Sequence, residues 1–109
     1  MNGWVAVVIA GFFEVGFTTF MKLSDGFTKW IFTACFLIAA ITSFVFLSQA
    51  IKTLPLGTAY AVWTGIGAVG TAIVGMVFFK DPITLPRILL LSILLGAIIG
   101  LKFVSAEAS

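Results

Sequence analysis

Between Gly3 and Val104 the chain consists of four apolar stretches separated by loops of a few residues, and this repetition sets the terms for any fold. The stretches cover about 3–21, 30–51, 56–79 and 86–104. Each is close to the ~20 apolar residues that an α-helix needs to cross a bilayer. A soluble domain is about half apolar and about a quarter charged. Here 61% of residues are hydrophobic and 9% charged, which leaves too little polar surface to wet. The expectation is an all-α integral membrane protein with four transmembrane helices, forming one domain over residues 1–109.

The breaks between stretches carry turn formers. Ser24, Asp25 and Gly26 lie in the first, Pro55 in the second, and Asp81 and Pro82 in the third. Pro86 suits the first turn of the last helix. Loops this short force neighbouring helices to run antiparallel. The six cationic residues stand singly beside apolar runs rather than in a patch, so they read as helix-end anchors and not as a nucleic-acid surface. There is no His, and Cys35 is the one cysteine, so neither a metal site nor an intrachain disulfide is expected, and no cofactor is called for. The first stretch has no basic leader and carries an acid at its centre, so it is expected to be retained rather than cleaved.

Lys and Arg near the loops set orientation. Lys22, Lys29, Lys80 and Arg87 fall on one side and Lys52 and Lys102 on the other. This bias is small, and the free N-terminal amine reduces it, so dual topology and an antiparallel pair of chains follow as an expectation.

Glu14 is the residue with the strongest functional implication. An acid at a helix centre costs about 2.5–3.5 kcal/mol on insertion scales and is normally kept for function. A packing role, protonated or ion-paired, is the alternative, but every Lys and Arg lies near the end of a stretch. Helical spacing puts Val7, Ala10, Gly11, Phe17, Thr18 and Met21 on the face of Glu14. An acid among small residues and an aromatic suits a compact organic cation, and the same carboxyl can hold a proton instead.

In the third stretch Tyr60, Trp63, Gly67 and Gly70 share one face, while Ala61, Gly65, Ala68, Ala72 and Gly75 share another. Tyr60 and Trp63 read either as walls of a cation pocket or as interfacial belt residues. The glycines read as a hinge or as close packing. Ser43, near mid-depth beside Thr42, is placed to bond a neighbouring carboxylate or its own helix. Ser92, Gly96 and Gly100 recur every four residues in the last stretch, a spacing that lets two helices approach closely, as in a dimer interface or ordinary packing. No set of nucleophile, base and orienting group can be assembled, so an enzyme is not expected.

Across essentially its whole length the chain resembles the small multidrug resistance family of bacterial four-helix exporters. The resemblance lies in Glu14-Val15, Thr18-Thr19, Met21-Lys22, Gly26-Phe27-Thr28, Ser43-Phe44, Pro55 with Gly57 and Thr58, and Ala59-Tyr60-Ala61-Val62-Trp63. It implies a multi-pass protein of the bacterial inner membrane, assembled as an antiparallel dimer that exchanges protons for organic cations through one shared pocket. Glu14 of both copies would bind proton or substrate. Tyr60 and Trp63 would line the pocket, and Ser43 would bond Glu14 or its partners. Gly11, Phe17, Thr18 and Gly67 would complete the lining.

Thr64-Gly65-Ile66-Gly67-Ala68 and Gly100-Leu101-Lys102 resemble the guanidinium-exporting branch, whereas Thr18-Thr19 and Met21-Lys22 resemble the broad drug exporters. Phe17 stands where guanidinium exporters have Trp, and Ala40 where drug exporters have Tyr. The implied substrate is guanidinium or a substituted guanidinium, with quaternary ammonium ions next. Two readings of another kind are a membrane scaffold through which nothing crosses and a subunit that needs a different homologous partner.

Overall fold

The computed structural model describes residues 2–108, with side chains described up to Val104. Four helices follow one another: α1 (Gly3–Leu23), α2 (Trp30–Ile51), α3 (Leu56–Phe78) and α4 (Leu85–Ala108). All four are long and apolar enough to cross a membrane. Their 21 to 24 residues correspond to about 32–36 Å of helix, against a hydrocarbon core of about 30 Å. A helix satisfies its own backbone hydrogen bonds, which is what a segment surrounded by lipid requires.

Local chemistry places the ends. The Asn2 side chain accepts from the Trp4 N–H at 2.7 Å and caps α1. At the other end α1 runs two residues beyond the expected Met21, to Leu23, and stops at the buried Ser24. The Ser24 hydroxyl donates to the Met21 carbonyl (2.7 Å) and accepts from the Phe27 N–H (3.0 Å). This holds Asp25, Gly26 and Phe27 in three successive left-handed conformations, with φ of 51°, 70° and 65°. Helix α3 ends at Phe78, one residue early, because Lys80 turns left-handed (φ 58°) and the Asp81 N–H reaches the Gly75 carbonyl at 3.0 Å. The Thr84 hydroxyl accepts from the Arg87 N–H at 3.4 Å, so α4 starts at Leu85 rather than Pro86.

The helices form a slab whose principal extents are 45 × 35 × 17 Å. Helix α1 is central, packed against α2 and α3, while α4 packs against α3 and reaches α1 only where Lys102 lies over the Trp4 ring. Small residues set the approach of α1 to α3: Ile66 lies over Gly11, and Val15 lies over Gly70. The second glycine face of α3 meets α4, where Ile98 covers Gly65. Helix α3 is continuous from Leu56 to Phe78, so in this structure its glycines serve close packing. The core gathers toward the α2–α3 loop, with Ala6, Val7, Ala10, Ala50, Leu54, Ala59, Val62, Trp63 and Ile98.

Candidate functional site

Most hydroxyls in the spanning helices return to their own backbone. Thr33, Thr42, Thr64 and Ser92 each donate to the carbonyl four residues earlier, at 2.8–3.0 Å. Ser43 differs. Its Oγ donates to the Ala10 carbonyl of α1 at 2.7 Å and accepts the Trp63 Nε1–H of α3 at 2.9 Å. One fully buried side chain thus ties three helices together. Ala10 lies one turn before Glu14, so this link holds the stretch of α1 from which the acid projects.

Glu14 itself lies over Gly67, and any Cβ at position 67 would collide with the carboxyl group. Glycine at 67 therefore leaves room for the carboxyl end of Glu14, which any larger residue would displace. Glu14 Oε1 is buried and has no hydrogen-bond partner among the described residues. The ion pair found among the described residues, Arg87 with Asp81 at 3.6 Å, is elsewhere. An unpartnered carboxyl oxygen beneath the surface is a strong acceptor for a donor brought from outside.

Aromatic rings link the same three helices. Trp63 is flanked by Tyr60 and Phe44, each with centroids at 5.7 Å. Phe44 contacts Phe17 (6.2 Å), Phe17 meets Phe36 edge-on (5.8 Å), and Phe36 meets Phe27 (5.1 Å). The rings form a continuous row along α1, α2 and α3 from the start of α3 to the α1–α2 loop. A cation at Glu14 would meet ring faces as well as a carboxylate.

The structure brings together Glu14, Gly67, Phe17, Ser43 and Trp63, but not with all the contacts the sequence implies. Ser43 serves Ala10 and Trp63 rather than Glu14, because the Ala10 carbonyl and the indole occupy its hydroxyl first. Tyr60 is 58% exposed on the chain and reaches the site only through the ring of Trp63. Gly11 receives Ile66 and not the acid. The Thr18 hydroxyl has the Val15 carbonyl (3.0 Å) and the Thr71 hydroxyl (2.7 Å) as partners. Ser92 bonds the Ile88 carbonyl, and a Cβ at Gly96 or Gly100 would touch nothing within 4 Å, so this edge of α4 is open in the single chain.

Sequence reasoning did not single out Phe44 or Phe36 as ring neighbours of the site. Their signal was present, since Phe44 follows Ser43 directly and Phe36 precedes it by two helical turns, but twelve phenylalanines in one chain hide any particular one.

Four helices long and apolar enough to span a membrane, the first with an acid at mid-length, describe a multi-pass membrane protein. The Small Multidrug Resistance protein family matches residues 2–94, and the chain belongs to it. It is a multi-pass efflux protein of the bacterial inner membrane. A guanidinium exporter of Yersinia pseudotuberculosis is 49% identical over 102 residues, which is 94% of this chain and 98% of that protein. A guanidinium exporter of Citrobacter freundii is 44% identical over 99 residues, 91% of this chain and 94% of the relative. A probable guanidinium efflux system subunit of Bacillus licheniformis is 43% identical over 104 residues, 94% and 98% of the two chains.

Proposed function

We propose that this chain exports guanidinium and guanidinium ions with apolar substituents in exchange for protons, as an antiparallel homodimer in which Glu14 binds either load. The observation that carries the reading is the carboxyl of Glu14, set over Gly67 with one buried oxygen that has no partner among the described residues. Guanidinium is planar and presents N–H donors in a fork that a carboxylate accepts bidentately. Relatives named as guanidinium exporters, at up to 49% identity over nearly the whole chain, support that choice of cation.

The aromatic row supports tolerance of substituents. Phe17, one helical turn after the acid, packs against Phe44 and has no N–H with which to hold the carboxyl in one orientation. Trp63 commits its N–H to Ser43, so it offers its ring face and not a donor. Proton and cation exclude each other because both need the same carboxylate, and that competition couples their fluxes. Exposed Tyr60 and the open Gly96–Gly100 edge of α4 support a second copy completing the pocket.

The test is a panel of cations in proteoliposomes containing only this protein, with currents read for guanidinium, phenylguanidinium and tetrapropylammonium. Guanidinium currents are expected from the chain alone. Robust tetrapropylammonium currents with none from either guanidinium ion would transfer the assignment to quaternary ammonium ions. Absence of any current until a second homologous subunit is added would establish a paired system.

A further inference from the structure

A second polar feature lies one helical turn beyond the acid, toward the α1–α2 loop. Thr18 follows Glu14 by four residues and Thr71 follows Gly67 by four, so the hydroxyl pair repeats the Glu14–Gly67 contact one turn along. Immediately beyond it is a cavity of about 160 Å³ lined by Thr18, Thr19, Lys22, Thr71, Phe79 and Asp81, among others. That volume has room for several water molecules, and its lining includes the hydroxyls of Thr18, Thr19 and Thr71 and the charged groups of Lys22 and Asp81. Lys22 lies over the Phe79 ring at 6.0 Å, and Asp81 pairs with Arg87 at 3.6 Å, so the mouth carries charge of both signs. On the opposite side of Glu14 the way is dry: Ala6, Val7 and Ala10 are 0% exposed and Val62 is 1% exposed.

We propose that this cavity is the aqueous port by which protons reach Glu14, and that the Thr18–Thr71 hydroxyl pair is the link between port and acid. The proposal rests on Glu14 being the proton-binding carboxyl. Thr18 has one hydroxyl hydrogen and two acceptors for it, the Val15 carbonyl and the Thr71 oxygen, so the pair can reverse its direction of donation. A hydronium in the cavity gives its proton to one hydroxyl oxygen as the hydrogen already there passes on. Thr18 follows Glu14 by one helical turn, about 5 Å of rise along the axis, so the relay requires one water between the pair and the carboxyl. Glu14 gains one proton, the hydroxyls are regenerated, and the hydronium becomes water.

Thr71→Val tests the link, since it replaces the hydroxyl by a methyl at nearly constant volume and leaves Thr18 bonded to the Val15 carbonyl. Two fluxes are compared in proteoliposomes: guanidinium movement driven by a proton gradient, and guanidinium–guanidinium exchange at alkaline pH without one. Tetrapropylammonium replaces guanidinium if it alone is carried. The proton-driven flux is expected to slow about threefold to tenfold, as for the loss of one hydrogen-bonded step, with exchange unchanged and Thr71→Ser restoring the rate. Both fluxes unchanged, or both falling in parallel, would overturn the proposal. Proton-driven flux persisting in Glu14→Gln would instead overturn the reading on which it rests.

Discussion

Helices α1 to α3 and helix α4 are equally apolar yet built to different ends. Across its spanning window 28% of α3 is buried within the chain, against 6% of α4. The first three helices contain Glu14 and the hydroxyls and indole that cross between helices, whereas α4 has no ionisable side chain between Arg87 and Lys102, and its Ser92 bonds its own backbone. In water the exposed Leu90, Ile93 and Ile99 of α4 would be a liability, but lipid is as apolar as they are, so the helix needs no cover. Chemistry is thus concentrated where helices cross closely, and α4 is left free to meet lipid or another copy.

The largest expected effect isolates the first region. Glu14→Gln removes the titratable group at nearly constant volume and is expected to reduce proton-driven transport to the level of empty liposomes while the protein still purifies as the same assembly. Near wild-type currents from this variant would mean that the acid is structural and nothing is exchanged through it.

The converse substitution isolates α4. A Cβ at Gly96 or Gly100 meets no atom of its own chain within 4 Å, so leucine at both is expected to leave the helices folded, but to abolish the proposed dimer and transport with it. Cysteine cross-linking across α4 reads the assembly directly. Capture of parallel pairs alone would refute the antiparallel arrangement.

Acidity should separate the regions by a smaller but graded effect. Protonation removes the charge that binds the cation, so apparent guanidinium affinity is expected to fall as pH falls, by up to about tenfold per unit once the carboxyl is mostly protonated. Dimer stability over the same range should stay level, since α4 carries no titratable group at depth. Affinity that ignores pH would separate the proton site from the cation site.

The smallest contrast lies within α2. Ser43→Ala leaves the Trp63 N–H without its partner in the core and is expected to cost about 1–3 kcal/mol. Thr42→Val, one residue away and bonded only to its own helix, is expected to stay within about 0.5 kcal/mol. Chemical denaturation of both variants in the same detergent measures the difference, and equal effects would remove Ser43 as the link between the three helices.

The sequence by itself determined the four crossings, the places where the chain turns and the one deep acid. These are local properties: a segment enters lipid when its own residues are apolar enough and its backbone bonds are satisfied within it. The rotation of each helix about its axis is not local, and there only the tertiary structure decided. It seated Glu14 on Gly67, turned Ser43 to Ala10 and Trp63, left Tyr60 on the outside, and paired Thr18 with a threonine 53 residues away. Lipid on every side gives an apolar helix no single preferred face, so the setting comes from where small residues let another backbone approach, and that depends on the neighbour as much as on the helix itself.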